Sequence, residues 1–574
     1  MTIDPVTLAI LKGRLEQIAD EMDATLFRSA FNPIIAEAHV ASHGIYDAKT
    51  GDTLVQGKSG LPIFVGVMAF AVKAVIDKAD KQGGVHEGDV WIFNDPYDGG
   101  THLSDFRLVK PVFRDGEVFC YLASVGHWHD VGGNVPGNYN PAATECFQEG
   151  MLIPPVKLYD RGEYRQDIVD ILSANSRLYG DLNGQINALQ LGEKRMNALL
   201  DEYGDAKVTD CMAELTARAA QMMRAQISNL PSGTVSAEDF LDNDGINDEP
   251  LKIALDLVID GDKMVMDFSR SSPACAGPVN ISRATTIAAC YVALKHIFGD
   301  VPANAGVLEP VEFRIDEDSL LSVRAPKPVG GYTETILRLI DVVFQAVAQI
   351  APEPAMACAY GTINALSLAG HRANGQRWVM FSFFGGGHGA HGGGDGLNHG
   401  NAPISTATIP PLEILEAAYP VRFTQWALRP NSGGAGEFRG GLGAIYEIEL
   451  LEKQADVFLF GERGRFAPPG VVGGGAGALN TFHYEQADGD HEPPMASKIV
   501  GIHIDRGQKL RLETPGGGGY GHALERNPES VARDLRLGYI TADRTEADYG
   551  VVIGSDGSFD EAATRELRTR EAAQ

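Results

Sequence analysis

The sequence predicts an α+β fold. It reads as a large, mixed, multi-subdomain chain, helix-rich with β-hairpins in its N-terminal half and β-rich and glycine-containing in its C-terminal half. Three observations carry this reading. Apolar residues recur at helical spacing through long stretches of the first half, as at Val6, Ile10, Leu11, Leu15, Ile18, Met22 and Leu26. Two pairs of β-prone runs are each joined by Asp-Gly, at Asp115-Gly116 and Asp260-Gly261, a dipeptide that suits a tight hairpin. From about Val379 onward, short strand-like runs alternate with glycine clusters. A chain of 574 residues exceeds one simple core. We therefore expect a metal-site α+β region at 1–235, a central α/β region at 236–378, a β-rich region at 379–554 and a charged tail at 555–574.

The elements follow in order. Asp4-Pro5 opens a helix of about six turns, with proline at a tolerated early position. A strand follows at 42–46, a turn at 47–52, a helix at 64–76 and a short buried strand at 90–93. Runs 106–113 and 118–125 form the first hairpin. A regular register from Asp115-Gly116 sets Arg114 opposite Glu117, His102 opposite His129 and Ser104 opposite His127. His102, His127 and His129 then share one face and reach a common ion. Asp105 points to the other face of a regular strand, so it joins them only if 99–105 is an irregular loop, which Gly99-Gly100 favours. Pro111 suits an edge strand or a bulge. Residues 167–200 and 206–227 read as helical, 251–259 with 264–268 as a second hairpin, and 281–297 and 333–350 as buried helices. The Glu/Arg-rich tail has helical character.

Segment 94–150 holds the chemistry. It gathers His102, His127 and His129 with Asp105, Asp130 and Glu145, framed by glycines. Imidazoles and carboxylates together are the donor set of a hard or borderline divalent cation. A lone histidine is more often a hydrogen-bonded loop residue; three that converge beside carboxylates favour a metal site. Net charge −28 argues against nucleic acid or an anionic membrane as partner. No apolar run approaches the roughly 20 residues of a membrane helix. Met1-Thr2-Ile3-Asp4-Pro5 lacks a signal-peptide start, so a cytoplasmic location is expected. The six cysteines contain no Cys-x-x-Cys pair and read as reduced, buried thiols. Cys146 stands beside Glu145, which raises rather than lowers a thiol pKa, so it is discounted as a nucleophile. The loop 385–396 lacks the Gly-Lys-Ser/Thr ending of a Walker site. Its N–H groups either approach an anionic intermediate or serve tight turns, and His388 and His391 are candidate substrate contacts. Segment 514–521 reads as structural turns.

Taken together, these segments resemble the hydantoinase B / 5-oxoprolinase B-component family, which also contains large subunits of acetone and acetophenone carboxylases. The resemblance covers nearly the whole chain. It rests on Asn94-Asp95-Pro96-Tyr97 through Asp105, Asp130-Val131-Gly132-Gly133, Gln148-Glu149-Gly150, Leu428-Arg429-Pro430-Asn431-Ser432-Gly433-Gly434, Arg439-Gly440-Gly441 and Thr514-Pro515-Gly516-Gly517 through Gly521. It implies a hetero-oligomer with an ATP-binding, hydantoinase A-like subunit that phosphorylates a small-molecule substrate using ATP. It implies a divalent metal (Zn, Mn or Fe) on His102, Asp105 and His127, with His129, Asp130 or Glu145 moving protons. The reaction implied is opening of a phosphorylated cyclic amide such as a hydantoin or lactam. Alternatives are ATP-dependent ketone carboxylation with bicarbonate, or a degenerate scaffold subunit. The chain departs from the family pattern at Val40, Gly60 and Phe64, where an acid and two histidines are usual, which puts ring opening in doubt; His39 or His43 lies near enough in sequence to supplement the ligands.

Overall fold

Asp4 caps the first helix through its carboxylate, which accepts the Thr7 N–H at 3.0 Å. The computed structural model describes residues 3–176, 180–401, 403–405, 407, 410–555 and 557–571. The chain divides into two compact units, 1–234 with 256–336 and 404–410, and 235–255 with 337–403 and 411–574.

In the first unit, helix α1 (Pro5–Ser29) buries Leu8, Leu11, Leu15, Ile18, Met22 and Leu26. Val6 and Ile10, part of the expected stripe, face solvent instead. The short α2 (Pro33–Ala36) precedes a seven-stranded antiparallel sheet of order β2-β1-β5-β4-β3-β6-β7. Its strands are β1 (Ala41–Asp47), β2 (Thr53–Gln56), β3 (Val90–Phe93), β4 (Asp105–Arg114), β5 (Glu117–His127), β6 (Val156–Asp160) and β7 (Glu163–Tyr164). Helix α3 (Pro62–Asp80) packs on β1, β4 and β5.

The expected helical stretch at 167–200 is two helices, α4 (Gln166–Asn175) and α5 (Asp181–Tyr203); residues 177–179 lie outside the described residues. α5 and α6 (Asp205–Ser228) pack with α1, and their apolar faces share one core with Leu108, Cys120 and Leu122 of the sheet. The second hairpin, Leu251–Asp260 with Lys263–Asp267, and helices α7 (Arg283–Ile297) and α8 (Tyr332–Ala348) lie where the sequence puts them.

The hairpin of β4 and β5 turns at Asp115 (φ 51°) and Gly116 (φ 85°), and Arg114 faces Glu117 as expected. The register beyond is not the regular one. Phe113 pairs with Val118 but Val112 pairs with Cys120, leaving Phe119 as the extra residue of a bulge. Every later pair is offset by one, so Asp105, not Ser104, stands opposite His127. The expected pairing of His102 with His129 is corrected accordingly. Pro111 lies in an interior strand, but β3 pairs with β4 only over 107–109, so the missing N–H breaks no ladder there.

The second unit holds two antiparallel sheets. One joins Arg377–Ser382, Ala365–His371, Gln454–Phe460 and Lys498–Asp505; the other joins Val421–Leu428, Ala444–Leu450, Lys509–Glu513, Thr481–Gln486 and Gly489–His491. Leu366, Leu368, Tyr446, Ile448, Leu459 and Leu512 lie in their common core.

The glycine clusters are neither strands nor isolated turns. Their backbones bond one another: Gly387 N–H to Pro515 O (3.0 Å), Gly441 N–H to His388 O (2.8 Å), Gly517 N–H to Gly441 O (2.9 Å) and Gly434 N–H to Gly517 O (2.8 Å). A Cβ on Gly387 would sit 1.8 Å from Gly441 O. Glycine is required there because backbone meets backbone. The tail contains the helix Glu561–Glu571, with 572–574 outside the described residues. Among the described residues no helix is long and apolar enough to cross a membrane.

Candidate metal centre

The site is built by the irregular turn before β4. Asn94, at the end of β3, donates from Nδ2 to Leu103 O and Met151 O, both 2.7 Å, and its Oδ1 accepts Ile153 N–H at 2.7 Å. One buried amide thus pins the turn to the chain beyond Gly150. Gly99 has φ 84° and lies against α3, where a Cβ would meet Ala71 N at 2.4 Å. The Gly100 carbonyl accepts Thr285 Oγ1–H at 2.8 Å.

This turn delivers His102, and the bulged register delivers His127 opposite Asp105. His102 Nε2 lies 3.3 Å from His127 Nδ1 and 3.3 Å from Asp105 Oδ1; His127 Nδ1 lies 3.0 Å from Asp105 Oδ1. All three residues are at most 5% exposed. Among the described residues this is the one His/Cys/Asp/Glu trio whose ligand atoms all fall within 4.8 Å of one another. Thr101 Oγ1 donates to the other oxygen, Asp105 Oδ2, and fixes the carboxylate. Tyr332 and Tyr139 wall the site, their rings 4.8 and 5.6 Å from the His102 ring.

Burial pushes His102 below its ordinary pKa despite the pull of Asp105. Burial opposes ionisation of Asp105, but the neighbouring His102 and His127 outweigh it and hold the group below the usual carboxylate range. Burial pushes both wall phenols, Tyr139 and Tyr332, well above 10.0. Arg107, wholly buried beneath the turn, is pushed down to about 10 by burial.

The trio fits a divalent ion. N and O ligands ~2.0–2.2 Å from one ion stand roughly 3.0–3.6 Å from each other, and the three edges here fall in that range. Two imidazole nitrogens and a carboxylate oxygen gathered this closely are the donor chemistry of Zn, Mn or Fe.

Other expected site residues are dispersed. His129 is half-buried two residues past His127, its carbonyl accepting from Asn138 Nδ2 at 3.5 Å. Asp130 accepts Gly132 N–H at 3.0 Å in a local turn. Glu145 is exposed, at the N-cap of the 3₁₀ turn Cys146–Gln148. His43 does not supplement the trio, because its Nδ1 binds Asp23 (2.7 Å) and its Nε2 binds Ser124 Oγ (2.9 Å). His39 is exposed and stacked on Phe27. Val40 accepts the His127 N–H at 3.1 Å through its carbonyl. Phe64 is core, and Gly60 lies against Ser42.

His388 and His391 belong to the second unit; His391 is exposed and its Nδ1 accepts Gly393 N–H at 3.1 Å. The N–H groups of Gly386, Gly387, His388, Ala390, Gly394 and Gly396 already donate to carbonyls, which favours the structural reading of that loop over an anion cradle. Cys146 is buried and its thiol pushed up, mainly by burial.

An antiparallel sheet that buries a His-Asp-His trio at one end of a hairpin marks a class of mixed α+β proteins with a buried polar centre. Comparison with known proteins narrows the class. Residues 4–523 match the model of the Hydantoinase B/oxoprolinase family. The beta subunit of caprolactamase from Pseudomonas jessenii is 34% identical, with 99% of each chain covered. 5-Oxoprolinase 1 of Arabidopsis thaliana is 30% identical over 90% of this chain and 42% of its own length. The crystal structure of ATP-dependent caprolactamase from Pseudomonas jessenii superposes with a TM-score of 0.89 at 32% identity, covering 99% of this chain and 100% of that one. Nucleotide-free acetone carboxylase also gives 0.89, at 20% identity, with 99% and 83% covered, a likeness of fold. The chain belongs to the hydantoinase B/oxoprolinase family.

Proposed function

We propose that this chain is the metal-dependent B-type subunit of a two-component, ATP-dependent cyclic-amide hydrolase. An ATP-binding, hydantoinase A-like partner phosphorylates a hydantoin or lactam, and this subunit opens the activated ring. The observation that carries the reading is the buried His102–Asp105–His127 trio within a chain that matches a caprolactamase subunit end to end. A divalent ion held there supplies Lewis acidity.

The chain's own residues do the rest. Thr101, bonded to Asp105 Oδ2, would leave Oδ1 free to hold the ion. Tyr139 and Tyr332 exclude water and stay neutral. His129 and Asp130, just beyond β5, carry protons. Glu145, a surface cap, is the weakest of the three candidates.

The test is ATP-dependent ring opening by this chain combined with its ATP-binding partner, across a panel of lactams and hydantoins. His102→Ala and Asp105→Asn should each lower turnover about a thousandfold or more while the partner still consumes ATP. Unchanged ring opening in both variants, or product formation only with a ketone and bicarbonate, overturns the reading.

A further inference from the structure

A polar cleft of about 780 Å³ lies in the first unit, and none of His102, Asp105 and His127 lines it. Its walls come from the last turn of α3, the loop after it, and strands β3, β6 and β7 at one edge of the seven-stranded sheet. Two donors on its lining are buried and have no hydrogen-bond partner. One is Trp91 Nε1–H, on a residue only 1% exposed. The other belongs to His86. Arg161 Nη2 stands 3.0 Å from His86 Nε2 and can only donate, so Nε2 accepts and a neutral ring carries its proton on Nδ1. That nitrogen is buried and unpartnered, because Asp89 Oδ2 at 3.8 Å is beyond hydrogen-bond reach.

One buried carboxylate ties these groups together. Lys157 faces Trp91 across the ladder of β3 and β6, its ammonium 5.7 Å from the indole ring, and it binds Asp89 Oδ2 at 3.0 Å. The same Oδ2 accepts the His86 backbone N–H at 2.9 Å, and Asp89 Oδ1 accepts the Arg161 backbone N–H at 2.8 Å. The charges on the lining suit an anion. Lys78, Lys157, Arg161 and Arg165 line the cleft against Asp160 and Glu163, in a chain whose net charge is −28. Lys157 is held by Asp89 and Asp160, and Arg165 by Asp167. Lys78 and Arg161 form no ion pair among the described residues, which leaves their charge to a ligand. Donors thus reach the cleft from α3, the loop before β3, β3 itself and the turn after β6. A planar carboxylate accepts best near its own plane, whereas a tetrahedral phosphoryl group accepts from several sides.

We propose that this cleft binds a phosphate monoester, its phosphoryl oxygens received by Trp91 Nε1–H, His86 Nδ1–H, Lys78 and Arg161, and its organic stem by Pro155 and Ile168 of the same lining. A free phosphate offers the same oxygens but leaves the rest of the cleft unfilled. The site does not depend on the reaction assigned to the metal centre. Calorimetric titration of the full chain should detect phenyl phosphate, with inorganic phosphate weaker and benzoate weaker still. Trp91→Phe removes the indole N–H and Lys78→Gln removes the uncommitted charge. Each should weaken phenyl phosphate binding about tenfold or more, while His102→Ala should bind it like the parent chain. Lys78 is only half-buried, so Lys78→Gln keeps the test valid if the Trp91→Phe chain does not fold. The proposal fails if phenyl phosphate does not bind, if benzoate or inorganic phosphate binds as tightly, or if Lys78→Gln or a folded Trp91→Phe chain binds phenyl phosphate like the parent.

Discussion

Thr101 shows how much of the centre rests on residues that never touch an ion. Its hydroxyl holds Asp105 Oδ2, leaving Oδ1 to face the two imidazoles. Partners that orient a ligand typically contribute ~10–100-fold to metal affinity. Thr101→Val keeps the shape and removes the bond, so its Zn affinity, measured by competition with a chromophoric chelator, should fall by about that factor; equal affinity would show that the carboxylate needs no such support. Glu149 makes a different case. Its carboxylate accepts the N–H groups of Val329 (3.0 Å) and Gly330 (2.7 Å), the turn that leads into Tyr332 of the site wall. Burial pushes Glu149 from 4.5 up to about 8, against the pull of those two N–H bonds. A carboxyl that holds its proton more tightly when folded makes stability fall as pH rises between those two values, with the full loss reached above the upper one. The thermal midpoint of the parent chain should therefore decline across that window more steeply than that of Glu149→Gln, and parallel curves would contradict the assignment. At this scale residue type and spacing grouped His102 and His127 with His129, and Asp105 entered through an irregular loop at 99–105 and through the family resemblance. Asn94 and Glu149 stand out only as parts of motifs, because nothing local marks a side chain that bonds backbone 57 or 180 residues away.

The hairpin of β4 and β5 is where an element decides function. Asp115-Gly116 gave the turn away, since both residues take the left-handed conformation that a primed turn demands. The bulge at Phe119 was hidden because Val118-Phe119-Cys120 is an unbroken β-prone run with no glycine to mark the extra residue. One residue of slip exchanges the two faces of a strand. The regular register therefore assigns His129 where the bulged one assigns Asp105. This makes the bulge a testable part of the centre. Phe119→Val keeps the chain length and should bind one equivalent of metal, as judged by elemental analysis after dialysis. Deletion of Phe119 takes out the extra residue and leaves Val112 opposite Cys120 and Asp105 opposite His127 in a regular ladder, so the deletion chain should also retain one equivalent of metal. Metal lost by the deletion chain would show that the bend of the bulge, and not the residue count alone, holds the centre.

At the scale of the whole molecule the two units are held together internally by different means. The first is held by apolar helix faces on a sheet, which periodicity announces in sequence; the second includes glycine segments whose packing the sequence only hints at. Glycine count was legible, but Gly434 donates to Gly517, Gly517 to Gly441, Gly441 to His388 and Gly387 to Pro515, across long separations that no local pattern encodes. In such a bundle a methyl group has no room, since a Cβ on Gly517 would sit 1.9 Å from His388 O. A metal on the trio would stabilise the first unit while the glycine bundle belongs to the second, and hydrogen exchange can separate them. Binding to the native state alone stabilises by about 2.7 kcal/mol at a ligand concentration 100-fold above Kd. That protection should appear in peptides spanning 90–127, which contain His102, Asp105 and His127, on adding Zn or Mn. Peptides spanning 386–396, 431–443 and 515–521 should exchange alike with and without the ion, and inorganic phosphate should leave them unchanged, because the N–H groups of Gly386, Gly387, Gly434, Gly441 and Gly517 already donate to carbonyls. Metal-dependent protection of the glycine peptides equal to that of the hairpin would show instead that the two units respond as one, and phosphate-dependent protection would restore the anion-cradle reading of the loop around His388.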